Sequence, residues 1–161
     1  MIKTDIVAEM VGSEYRIPVD MGGIAFSIKF DNGAGSTVVS IDAYAKNLSD
    51  DEKNRIKDYC ESHSSGKSRF RSASGDFFFG YPVIANNVFL GNTCFKEFYY
   101  YIVIENKRNI SLLGVDFLDN CEYVHKPHEN IVISSFDEIS YSGRSMNIID
   151  NNDLVTFIDS L

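Results

Sequence analysis

The residues best placed to do chemistry in this chain are Asp31-Asn32-Gly33-Ala34. An alternating apolar segment (Ile24, Phe26, Ile28, Phe30) runs directly into the aspartate. The glycine two positions on lets backbone N–H groups approach a carboxylate closely. A carboxyl held there can give or take a proton. Alone the pattern is a weak signal, because Asn-Gly is among the strongest hairpin turns. Its surroundings single it out. The tetrapeptide occurs once, in the first third of the chain, and Leu112-Leu113-Gly114 stands well downstream. Between them lie a helix signal and a hairpin signal with a glycine at its tip.

Other candidate groups carry less. Ser65-Gly66-Lys67-Ser68 has the end of a phosphate-binding loop, but Glu61 occupies the position of the first glycine and no strand precedes it. His125 and His128 flank a proline without a cysteine at ligand spacing, so no metal is expected. Asp150, Asp153 and Asp159 read as a helix end and its solvated face. Cys60, Cys94 and Cys121 are odd in number and widely spaced, which points to reduced thiols.

The elements around these residues are mostly strands. Tyr15, Ile17 and Val19 recur at period two, and a Met21-Gly22-Gly23 turn separates them from Ile24–Phe30. A further strand is expected over Thr37–Ile41. Ser49 with Glu52 three residues on has the spacing of a capping box, and Ile56, Tyr59 and Cys60 give a helix through about His63. A polar loop, Ser62 to Ser68, follows. Phe70–Ala73 and Phe77–Ile84 flank Ser74-Gly75-Asp76 as a hairpin. Val88–Leu90 and Phe95–Ile104 form a second hairpin across Gly91-Asn92. After a turn at Asn106–Asn109 come Ile110–Leu113, a helical turn near Asp116–Asn120, and a last hairpin of Tyr123–His125 with Ile131–Ile133. Small polar residues from Tyr141 to Ser145 precede a terminal helix over Asn152–Leu161.

In this order the sequence resembles the retropepsin-like aspartic proteases, single-domain enzymes with an Asp-Thr/Ser-Gly-Ala motif. Asp31-Asn32-Gly33-Ala34 stands at the motif, the helix from Ser49 follows, and the hairpin around Gly75 stands at the flap. Leu112-Leu113-Gly114-Val115-Asp116-Phe117-Leu118 is similar to the family's segment beneath the motif loop. The resemblance spans roughly residues 11 to 135. It implies an all-β, closed barrel-like fold with one or two short helices and a flap hairpin. The domain would cover residues 1–136, with 137–161 a C-terminal extension ending in a short helix.

The resemblance also implies a mechanism. Asp31 is the catalytic residue, and Asn32, Gly33 and Ala34 form the active-site loop. Ser74, Gly75, Asp76 and Phe77 belong to the flap over substrate, while Leu112, Leu113 and Gly114 support the loop from below. Two neighbouring carboxyls cannot both ionise cheaply, so they share a proton and supply both acid and base. This chain has a single such motif, so the second carboxylate comes from another copy in a two-fold homodimer. The substrate is a polypeptide and no cofactor is needed. Ala34 brings no hydroxyl to the carboxylate, which implies a pH optimum nearer neutral than that of pepsin. Asn32 departs from the family's Thr or Ser, whose hydroxyls link the two loops. The alternative is therefore an inactive dimer kept as a peptide-binding or regulatory module; a third reading is a monomeric β-domain inside a larger assembly.

Composition narrows the remaining classes. The chain has 161 residues, 44% hydrophobic and 24% charged, as expected of one globular domain. Twelve Phe and nine Tyr favour strands. A net charge of −8 argues against a nucleic-acid partner, which needs a basic surface. The longest apolar run, Phe98 to Ile104, is far short of the roughly 20 residues of a membrane span. The N-terminus has acids within its apolar stretch and does not read as a signal peptide, so a cytoplasmic location is expected.

Overall fold

A computed structural model describes residues 5–72, 74–105, 111–125, 129–134 and 147–161. The expected turn at Asn106–Asn109, His128 and the Tyr141–Ser145 stretch lie outside the described residues.

Strand β1 (Ile6–Val11) is followed by β2 (Glu14–Met21) and β3 (Ile24–Phe30), an antiparallel meander. β2 and β3 show the anticipated alternation: Ile17, Val19 and Met21 are buried, as are Ile28 and Phe30 at the end of β3. β1 is not apparent from the sequence. It exists because a strand presents two faces: Ile6 and Ala8 enter the core while Glu9 stays outside.

β4 (Val38–Ser40) is shorter than its apolar run, because Ser40 Oγ accepts the Asp42 N–H and starts a 3-10 turn over Ile41–Ala43. Helix α1 (Asp50–His63) begins with the anticipated capping box, Ser49 and Glu52 each bonding the other's backbone N–H. Ile56 and Cys60 are its buried stripe.

β5 (Ser68–Arg71) forms a hairpin with the start of β6 (Phe77–Leu90), which continues into a second hairpin with β7 (Thr93–Val103). The sequence suggests a break after Ile84, but β6 is continuous. Asn87 takes a positive φ of 55°, which Asn tolerates better than most residues, and Val88 still pairs with Phe95 in register.

β8 (Leu112–Leu113), helix α2 (Val115–Leu118), β9 (Glu122–His125) and β10 (Ile131–Ser134) follow. β9 pairs with β10, and β10 with the first half of β1. β11 (Ile149–Asp150) runs parallel to β6 and leads into helix α3 (Asn151–Asp159).

The pairings close on themselves. β6, β7, β4, β8, β3 and β2 form a ring, because Val19–Met21 of β2 pair with Val88–Leu90 of β6. The architecture is thus an all-β barrel with short helices. Its core holds Ile17, Ile28, Val39, Val83, Ile102 and Leu113, and also Ile149, Leu154 and Ile158 from the C-terminal segment. That segment is fixed by a polar cluster as well. The Tyr44 and Tyr100 hydroxyls touch each other, and each donates to Oδ1 of buried Asn151, at 2.6 and 2.9 Å. No described helix is long and apolar enough to cross a membrane.

Candidate active site

β3 and β4 lie side by side only through β8. Leu112 pairs parallel with Lys29 on one side and antiparallel with Val38 on the other. β3 ends at Phe30, and the chain must reverse before β4 begins. Asp31 to Ala34 make that reversal: the Ala34 N–H donates to the Asp31 carbonyl at 3.2 Å. The Asp31 N–H donates to the Leu113 carbonyl at 3.1 Å, anchoring the turn to β8.

The carboxylate of half-buried Asp31 accepts the Gly33 N–H on Oδ1 at 3.0 Å. A Cβ at residue 33 would lie 3.3 Å from that oxygen, so glycine leaves the approach open. Among the described residues Asp31 forms no ion pair.

Beneath the turn a second set of bonds locks the segment after it. Val115 N–H donates to the Ala34 carbonyl at 2.8 Å. Fully buried Thr37 accepts the Gly114 N–H on its hydroxyl at 3.1 Å and donates that hydroxyl to Asp116 Oδ1 at 2.7 Å. Its backbone N–H also reaches Asp116 Oδ2, at 3.1 Å. A buried hydroxyl needs both partners, and here it has them. Asp31–Ala34 and Leu112–Gly114 are therefore brought together.

The hairpin tip is organised by its own bonds. Ser72 N–H donates to the Asp76 carbonyl and Gly75 N–H to the Ser72 carbonyl, at 2.8 and 2.9 Å. Gly75 has φ +91°, which favours glycine. Ser74 Oγ reaches Ser72 Oγ at 2.9 Å and Asp76 Oδ2 at 3.4 Å. The hairpin has two unlike faces. Phe70 stacks on Phe78 and meets Tyr101 edge-on, while Phe77 is 55% exposed on the other face with Arg69 stacked over it.

Two features near Asp31 have no sequence signal. Asn32 Nδ2 donates to the Tyr123 hydroxyl at 3.3 Å, and the Tyr123 ring packs edge-on against Phe30, 4.9 Å between centroids. Tyr123 is marked in the sequence only as a strand residue; that β9 passes beside the turn depends on the fold. His125 is committed to Tyr15, with Nε2 2.9 Å from its hydroxyl and the rings edge-on. Among the described residues no group of three or more His, Cys, Asp or Glu side chains could hold a metal ion.

No protein-family model matches the chain, and no curated protein does. Among solved structures it is similar to the crystal structure of a retropepsin-like aspartic protease from Rickettsia conorii. The match covers 83% of this chain and 94% of that one, with a TM-score of 0.51 and 15% identity. The fold is retropepsin-like. In this barrel the turn after β3 and the β8–α2 segment are adjacent for a topological reason. The β8 strand is inserted between two strands whose connection carries the aspartate.

Proposed function

We propose that the chain is an aspartic endopeptidase that works as a homodimer, with Asp31 of each copy facing the other across a two-fold axis. The observation that carries this reading is the seating of Asp31. It lies on a glycine turn held by the Leu113 carbonyl, with one carboxylate oxygen capped by Gly33 N–H, in a retropepsin-like fold. One carboxylate cannot be both acid and base in a single step. A second copy supplies the partner with no further residue required. In the mechanism, one carboxylate takes a proton from a water held between the two. The resulting hydroxide attacks the peptide carbonyl carbon while the protonated carboxyl gives its proton to the carbonyl oxygen. The diol then collapses, one carboxylate taking a hydroxyl proton and the other carboxyl protonating the leaving amine as the C–N bond breaks. The hairpin of Ser68–Arg71 and Phe77–Gly80 serves as the flap, and substrate lies beneath it as an extended strand.

We take β9 as the dimer contact: among the described residues it is an edge strand, and it adjoins the Asp31 turn through Tyr123. Val7, Val132 and Val124 are in register across β1, β10 and β9, and Val7 and Val124 are exposed. An exposed apolar row ending at a strand with one described neighbour favours pairing with a second copy.

A second reading, a non-catalytic peptide-binding dimer, is favoured by one observation. Asn32 directs an amide N–H to its own chain's Tyr123 and, being an amide, offers the partner no hydroxyl. Cleavage profiling of a diverse peptide library, wild type beside Asp31→Asn across pH 4 to 7, separates the two. Cuts made by wild type alone support the peptidase. Peptide binding without cuts supports the module, and sedimentation as a monomer at high concentration refutes both.

A further inference from the structure

Asp31 sits between two residues that touch the same side chain. Phe30 packs against the Tyr123 ring, and Asn32 donates to the Tyr123 hydroxyl. Tyr123 is itself well anchored. It pairs with Ile133 of β10, which is fully buried and pairs in turn with Ile6 of β1. The segment from Gly114 to Tyr123 therefore grips the turn twice. Gly114 and Val115 support it from beneath, and Tyr123 holds it from the side.

We infer that Tyr123 is a positioning residue for Asp31, acting through Asn32. The Tyr123 hydroxyl accepts the Asn32 N–H, which requires at residue 32 a polar group on a chain long enough to meet it. The amide of Asn places its donor one bond further from the backbone than the hydroxyl of Ser or Thr. Asn32 and Tyr123 thus form a matched pair within one chain, fixing the direction of the turn before any partner arrives. A turn held at both flanks leaves Asp31 little freedom beyond rotation of its own side chain, and catalysis is sensitive to such placement.

The kinetic consequence rests on the peptidase reading; the anchoring itself does not, and the test separates them. Tyr123→Phe keeps the ring on Phe30 and removes only the hydroxyl. Its kcat is expected to fall about three- to tenfold with KM unchanged, and the thermal midpoint to drop by no more than the loss of one neutral hydrogen bond accounts for. Asn32→Ala should lose a similar factor, and adding Tyr123→Phe to it should cost nothing more, since the pair acts as one unit. In nuclear magnetic resonance spectra, Tyr123→Phe should move the Asn32 side-chain amide and the Gly33 backbone amide. Losses that multiply, an unchanged kcat, or unmoved Asn32 and Gly33 resonances would each overturn the inference. Moved resonances in a protein that cuts no peptide would uphold the anchoring and refute the peptidase reading.

Discussion

A Cβ placed on Gly114 would lie 2.6 Å from both the carbonyl carbon and the carbonyl oxygen of Ser36. The same atom would meet the Ala34 carbonyl oxygen at 2.8 Å. The obstacle is backbone, which cannot swing aside like a side-chain tip. Gly114 has φ −96°, so contact and not backbone conformation selects glycine here.

Gly114→Ala should therefore push the Asp31 turn off β8. A loss of about 3 kcal/mol of folding stability is expected, at the upper end for an overpacked site. Urea unfolding measures it, and an unchanged midpoint would show that the two segments are not in contact as described.

Thr37→Val tests the bonds below the turn. The shapes match, but the Gly114 N–H loses its acceptor and Asp116 loses a donor. Stripping one partner from buried polar groups should cost about 1–3 kcal/mol. Thr37→Ser, which keeps the hydroxyl, should retain most of the stability in the same thermal scans.

Leu154→Ala addresses the C-terminal segment. Leu154 is fully buried in the same core as β6 and β7. Its truncation should cost about 2–5 kcal/mol, and circular dichroism and tyrosine fluorescence should still report one shared transition. Separate transitions would mean that α3 is an independent unit.

The thiols should react in a fixed order. Burial pushes Cys60 up to about 12 and Cys121 to about 11, so neither forms much thiolate at neutral pH. Cys94 is exposed. Alkylation at pH 8 followed by peptide mass mapping should modify Cys94 first and Cys60 only under denaturing conditions.

Alkali should destabilise the barrel. Tyr100 is raised well above its usual range by burial and then by Asp150; Tyr81 is raised by burial and by its hydrogen bond to Glu61. A folded-state value above the unfolded one stabilises fully below the unfolded value of about 10 and is lost as pH rises beyond it. Stability from denaturant titrations should be flat across this contribution below pH 9 and fall above pH 10. Tyr100→Phe should weaken that fall.

The parts of this architecture legible in the sequence are those whose cause is local. Ser49 and Glu52 announce α1 because a capping box needs only three residues of spacing. Ile24 to Phe30 announce β3 because alternation is a property of the strand itself. The expected break between Ile84 and Val88 misleads for the converse reason: the ladder with β7 carries the chain through it. β1 is masked by Glu9, the one acid on its outer face. Asp31, Gly33 and Leu112-Leu113-Gly114 are legible through a motif order. Tyr123 is not, since its meeting with Asn32 depends on where α2 and β10 direct β9. The crowding that demands glycine at 114 likewise appears only once Ser36 lies across from it.

β6 pairs with β7, β2 and β11 along its body, whereas its first residues pair with β5. Gly80 is the crossover, opposite both Val103 and Ser68, and a Cβ there would lie 2.9 Å from the Tyr101 Cβ. Among the described residues, one strand thus passes from shared backbone partners on two sides to a two-stranded ribbon. Amide hydrogen exchange should record this as a gradient along a single element, fast at Phe77–Phe79 and slow at Val83–Ala85. The hairpin can then breathe on a timescale of its own while the barrel it grows from stays shut.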